Sequence, residues 1–202
     1  ICKIYQNNKR KNTKFIILGD NMQCIYEYKN SFNIFLTNAE NIFNFNDITW
    51  KELKLTESFR LTPEICDFIN EICLHKNKIK STKDKTKNKP QYIVTDLFNK
   101  SNDYKPLNMI NGFIKDGYNY SDIFILSNSV KAGKNSPRPC NILENVLTIH
   151  NIPVYIPNSD SDNIKNINFN DNKIIFSSFH QVKGRERKIV FIIGFDDYYE
   201  SI

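Results

Sequence analysis

Apolar residues recur along the chain in short runs separated by polar, lysine- and asparagine-rich stretches, and the spacing within each run separates strands from helices. Predominantly apolar runs at residues 14–18, 92–94, 123–126, 154–156, 174–177 and 189–193 predict strands, and Ser127-Asn128 marks the turn after the third. Helical spacing occupies the intervals. Near the amino end residues 2–6 predict a short helix, followed by a basic turn. Thr62-Pro63-Glu64 reads as a helix start, with Thr62 as N-cap and Pro63 at the first helical position. Ile65, Phe68, Ile69, Ile72 and Cys73 then form one buried face, with Cys66 packing beside it. Leu107, Ile110 and Ile114, with Asn111, mark a second helix closed by Asp116-Gly117; residues 142–150 give a third, with Leu143, Val146 and Leu147 inward. Such alternation predicts an α/β fold with a mostly parallel sheet and helices on both faces. Residues 157–172, rich in Asn, Asp and Ser, and residues 131–140, with Pro137 and Pro139, read as surface loops.

A length of 202 residues leaves room for one domain and part of another. The boundary falls near residue 50: residues 1–50 read as the closing edge of a first domain and residues 51–202 as the second. A hydrophobic fraction of 40% and an aromatic fraction of 13% suffice for a globular core, which argues against wholesale disorder.

Charge is localised. Residues 76–89 hold seven lysines against Asp84, so this run accounts for the chain's whole net charge of +6. Two readings stand for it, a contact for nucleic acid or an acidic partner, and a solvated loop. The five cysteines form no C-x-x-C pair and leave an odd count, supporting neither a zinc site nor a disulfide framework. A reducing, intracellular compartment, cytoplasmic or nuclear, is the expectation. No apolar run approaches the roughly 18 to 20 residues of a membrane span, and no membrane partner is expected.

The densest chemistry lies between Ile16 and Lys29. A strand ending in Gly19-Asp20 would deliver polar residues to the carboxyl edge of a sheet, where open α/β sheets bind ligands. Gln23 would face that crevice. Tyr26 and Tyr28, followed by Lys29, offer ring faces and a cation, the pairing that single-stranded nucleic acid prefers.

This string, Gly19-Asp20-Asn21-Met22-Gln23-Cys24-Ile25-Tyr26-Glu27-Tyr28-Lys29, resembles motif III of the UvrD/Rep branch of superfamily 1 DNA helicases. Leu55-Thr56-Glu57-Ser58-Phe59-Arg60 is similar to the family's motif IV, L-x-x-N-Y-R. Ser178-Phe179-His180-Gln181-Val182-Lys183-Gly184-Arg185-Glu186 is similar to its motif V, T-x-H-x-x-K-G-x-E. The resemblance implies a RecA-like, P-loop NTPase fold: residues 1–50 as the edge of the first helicase domain, and 51–202 as a truncated second one with the family's large insertion domain reduced to the 157–172 loop. No G-x-x-x-x-G-K-[ST] loop occurs here, nor a D-E-x-x pair before motif III, and motif VI is missing after Phe195. The expectation is a fragment incomplete at both ends, its amino-terminal portion lying elsewhere in the same protein.

The resemblance implies roles for particular residues. Arg60 becomes an arginine finger on the terminal phosphate of ATP, its fork suited to phosphate oxygens. Gln23 senses the same phosphate. Glu186 accepts a hydrogen bond from the nucleotide ribose, and Gly184 permits close backbone approach. Ser178 and His180 contact a DNA phosphate, while Tyr26 and Tyr28 stack on bases beside Lys29, which stands where the family has arginine. Arg185 replaces a leucine of the family pattern, and Asn30-Ser31 a Gly-Ala. The implied cofactors are ATP and Mg2+, with the magnesium ligands outside these residues. The implied partners are single-stranded DNA and duplex junctions, with 3′ to 5′ translocation coupled to unwinding. The competing reading is a degenerate helicase-like module that binds nucleic acid without hydrolysing ATP.

Overall fold

The computed structural model describes residues 14–24, 32–43, 49–99, 104–130, 139–156 and 171–194. The chain divides into two compact units, Ile1–Ile93 and Val94–Ile202.

In the first unit the run at 14–18 forms no strand. Phe15 packs edge-on against Phe43 (5.4 Å) and Trp50 (5.8 Å), while Ile16 and Leu18 remain 71% and 80% exposed. Among the described residues no strand lies beside this segment, and an apolar run becomes a strand only when a neighbour takes its backbone hydrogen bonds. Two short helices follow, α1 (Ile34–Thr37) and α2 (Ala39–Ile42). Strand β1 (Glu57–Ser58) pairs in parallel with β2 (Lys80–Ser81), Ser58 opposite Ser81.

Between these strands α3 (Pro63–Phe68) widens into a π-helical turn, Ile69–Leu74, and stops at His75 in the left-handed conformation. Pro63 does open the helix after extended Thr62. The Thr62 hydroxyl makes no cap bond, however, and its oxygen is buried without a partner. The buried face also differs from the expected one: Cys66 and Asn70 are inside, whereas Phe68, Ile72 and Cys73 are exposed. What covers this helix is the chain at 76–82, which is held by polar groups. Asn70 Nδ2 donates to the Ile79 carbonyl (2.8 Å), and its Oδ1 accepts from the amides of Lys78 (3.1 Å) and Ile79 (3.0 Å). An amide that satisfies three backbone groups takes the inward position, and the wider π turn shifts the apolar residues out of phase.

The second unit is an α/β layer. Helix α4 (Lys105–Lys115) ends where Gly117, at φ +91°, lets its own amide and that of Tyr118 donate back to the Ile114 and Phe113 carbonyls (both 3.1 Å). Strand β3 (Ile123–Ser127), helix α5 (Pro139–Ile149) and strands β4 (Val154–Tyr155), β5 (Ile174–Ser178) and β6 (Ile189–Ile192) follow. The sheet order is β4-β5-β3-β6, parallel throughout. Alternate residues of β3 and β5, namely Ile123, Ile125, Ile174 and Phe176, pack with Leu107 and Ile110 of α4 and with Leu143 and Leu147 of α5. Both long helices therefore cover one face. On the opposite face Phe124, Leu126 and Ile175 meet Tyr155, Phe179 and Val182. The expectation of helices on both faces is corrected for the described residues: the β5-to-β6 connection, residues 179–188, is too short to carry a helix across the sheet. Residues 92–94 form no strand either, leaving Tyr92 and Val94 exposed, because no ladder reaches them.

Candidate functional site

Asp20 builds the turn that carries Gln23. Its carboxylate accepts from the Met22 amide (3.0 Å) and from Gln23 Nε2 (2.9 Å), closing the 3-10 turn Asn21–Gln23. The Gln23 amide thus has a hydrogen bond that any phosphate contact must exchange. Tyr26, Tyr28 and Lys29 lie outside the described residues.

Arg60 sits on the exposed turn after β1. Its amide donates to Ser58 Oγ (3.4 Å) and its carbonyl accepts from Lys83 Nζ (2.6 Å), so the backbone beneath the guanidinium is tied on both sides. Next to it in the chain, Phe59 is 76% exposed. The sequence places Phe59 in the motif IV-like string and gives it no role of its own. A nucleobase can stack on such a ring.

Glu64, in the first turn of α3, ties the lysine-rich segment to the same region. Oε1 accepts from the amides of Thr86 and Lys87 (both 2.8 Å) and Oε2 from the Thr86 hydroxyl (3.2 Å). Its pKa is lowered to about 2, chiefly by its own backbone amide and then, against some desolvation, by the amide of Lys87 and the hydroxyl and amide of Thr86. A depressed carboxylate pKa stabilises the folded form above the unfolded value and loses that contribution as pH falls through the folded one. Accordingly, amide exchange at Thr86 and Lys87 should be protected above pH 4.5 and lose protection progressively between pH 4.5 and about 2. Glu64→Gln should abolish that pH dependence. Hydrogen-exchange mass spectrometry across the pH series checks both statements.

In the second unit the connections leave β3 and β5 on opposite faces, β3 toward α5 and β5 over Phe179 and Val182. The two strands are neighbours with Ser127 opposite Ser178, so their carboxyl ends flank the place where an open parallel sheet binds ligands. Gln181 organises this edge. Its Oε1 accepts from the Ser177 hydroxyl (3.2 Å), the Ser178 amide (3.2 Å) and the Ser178 hydroxyl (3.3 Å), and the Gln181 amide donates to the Ser178 carbonyl (3.1 Å). Ser178 is buried, and its hydroxyl builds the turn rather than facing outward; His180 is the exposed side chain here. Gln181 was legible as the last residue of an S-x-x-Q capping pattern.

Gly184 adopts φ +81° with open space where a Cβ would point, so the position requires glycine for its backbone angle and not for close packing. Glu186 is exposed and lies three residues before Ile189, which pairs with Ile123 at the amino end of β3. Ser178 and Glu186 therefore belong to opposite ends of the sheet. At that amino end Arg187 is half-buried. One of its terminal nitrogens (Nη1) donates to the carbonyls of Lys173 (3.1 Å), Tyr120 (3.4 Å) and Ile123 (3.5 Å), and its guanidinium lies 5.0 Å from the Phe124 ring centroid. Burial pulls the Arg187 pKa down and Asp122 opposes the shift. This arginine ties β3, β5 and the entry to β6 together.

No family model, curated protein or solved structure matches this chain. The structure establishes a mixed α/β protein with parallel sheets. Among the described residues no group of His, Cys, Asp and Glu could hold a metal ion, and no helix is long and apolar enough to cross a membrane.

Proposed function

We propose that this chain is part of an ATP-dependent DNA helicase of the UvrD/Rep kind, with RecA-like architecture in its second unit. What supports the reading most is the position of the motif V-like string. Ser178 to His180 occupy the carboxyl edge of a parallel strand, at a point where neighbouring connections part to opposite faces, and the rest of the string runs back to the next parallel strand. In the other unit Arg60 stands on an exposed turn with an exposed ring beside it.

On this reading Arg60 and Gln23 meet the terminal phosphate of ATP, Phe59 offers its ring to a base, and His180 meets a DNA phosphate. Tyr26, Tyr28 and Lys29 grip bases. Bound ATP with Mg2+ supplies the phosphoryl group whose transfer drives translocation. The phosphate-cradling loop and the magnesium carboxylates then belong to sequence beyond these residues, and this chain alone should turn over no ATP. Positioned cations supply most of the catalysis in phosphoryl transfer, which is why the arginine matters more than any base in this segment. The test is ATP hydrolysis by the full-length protein with and without single-stranded DNA. Turnover stimulated by DNA is the expected result. A folded protein that binds DNA and hydrolyses nothing would instead mark a helicase-like binding module.

A further inference from the structure

The lysine-rich segment at 76–89 is held in place along its length while its lysines, among the described residues, have no carboxylate partner. Asn70 fixes Lys78 and Ile79; the Ser81 hydroxyl donates to the Leu61 carbonyl (2.7 Å); the Thr82 amide donates to the Ser58 carbonyl (3.0 Å); Glu64 fixes Thr86 and Lys87. Lys87 is held at φ +65°, a conformation few lysines adopt and one that persists where surrounding bonds impose it. The solvated-loop reading of this run does not describe a segment so bound. These anchors act on backbone or on uncharged side chains, and Lys83 adds one of its own, its Nζ donating to the Arg60 carbonyl (2.6 Å). The Glu64 carboxylate is occupied by amides and a hydroxyl, and Asp84, within the segment, forms no salt bridge with a described lysine. Among the described residues none of the seven lysines has a salt-bridge partner.

From this we infer that residues 80–92 form a strand-binding surface for the phosphate backbone of single-stranded nucleic acid, using groups other than the Gln23 and Arg60 side chains. Lys80, Lys85, Lys87 and Lys89 are exposed on a fixed backbone, so little backbone ordering opposes binding. Tyr92, 78% exposed just beyond Pro90, adds a ring on which a base can stack. Aromatic surface next to a run of unpaired cations suits a nucleic-acid strand. A lipid surface would require an apolar face or a second anchor beside the lysines, and residues 80–89 contain no apolar side chain. Choosing DNA over RNA as the probe rests on the helicase reading; the surface itself does not.

The experiment measures binding of an oligothymidylate to the whole 202-residue chain by fluorescence anisotropy over a salt series, without nucleotide. Each engaged phosphate contributes about 0.7 to the slope of log K against log salt for a single strand. Lys80→Gln, Lys85→Gln, Lys87→Gln and Lys89→Gln together should lower that slope by roughly 1.4 to 2.8, and weaken binding at low salt by about tenfold or more. A control carrying Lys51→Gln, Lys54→Gln, Lys105→Gln and Lys115→Gln removes equal charge and should leave the slope nearly unchanged. An unaltered slope in the first variant, equal losses in both, no binding by wild type, or tighter association with phosphatidylserine vesicles than with the oligonucleotide would each overturn the surface. The motor reading is judged separately by ATP turnover of the full-length protein, so either can fail without the other.

Discussion

Replacing Arg60 by alanine in the full-length protein should reduce DNA-stimulated ATP turnover by about 10³-fold or more, equivalent to roughly 4 kcal/mol of barrier. The size follows from the chemistry. On the proposed helicase reading, charge that develops on the transferring phosphoryl group is met by the planar, permanently charged fork of Arg60, and water that replaces the fork must reorganise to do the same work. Folding should not suffer, because the guanidinium is exposed and the anchoring of this turn uses the Arg60 backbone, with its amide on Ser58 and its carbonyl on Lys83. Arg60→Lys separates charge from geometry: it keeps the cation and loses the bidentate fork, so turnover should stay well below wild type. Single-turnover hydrolysis with and without DNA, alongside nucleotide affinity, distinguishes a transition-state defect from weakened binding. Turnover indifferent to Arg60 would leave the motor standing and remove this residue from it.

The second large effect is on stability. Phe176 is wholly buried at the centre of β5, between the two helices on one face of the sheet. Truncation to alanine removes the ring from a close-packed core and leaves a cavity that the flanking strands cannot collapse to fill, at a cost of about 3 to 5 kcal/mol. Whole domains are commonly stable by only about 5 to 15 kcal/mol, so Phe176→Ala should shift the urea midpoint of the second unit strongly or prevent folding. Phe59→Ala, at an exposed ring, should stay within about 0.5 kcal/mol of wild type. Urea denaturation followed by circular dichroism compares the two; similar losses would contradict the described burial.

The second unit was the more legible in sequence. Its strands at 123–126, 154–156, 174–177 and 189–193, and the helices around Ile110 and Leu147, all occur close to where the spacing of apolar residues predicts them. Each has partners whose burial agrees with its period, and local preference and tertiary packing coincide. In the first unit they diverge. The run at 14–18 has strand-like composition, yet no neighbouring strand completes it. The helix after Thr62 was found from its proline and spacing, but its inward residues are Cys66 and Asn70, because the covering segment needs hydrogen bonds more than apolar contact.

The same contrast holds for the candidate residues. Arg60, Gln23 and His180 were singled out by the resemblance of their strings to helicase motifs, and each is exposed. Tertiary structure assigned Ser178 to the turn held by Gln181, separated Glu186 from Ser178 by the length of a strand, and exposed Phe59. It also turned the lysine run from a matter of composition into a tethered surface. By itself the sequence determined the α/β alternation, the parallel strands and the chemistry on offer, since periodicity and side-chain type are local properties. Which helix face turns inward, which side of the sheet lies under helices and which polar groups are consumed by the fold were decided only in three dimensions. Those outcomes depend on hydrogen-bond partners and covering segments that lie far away along the chain.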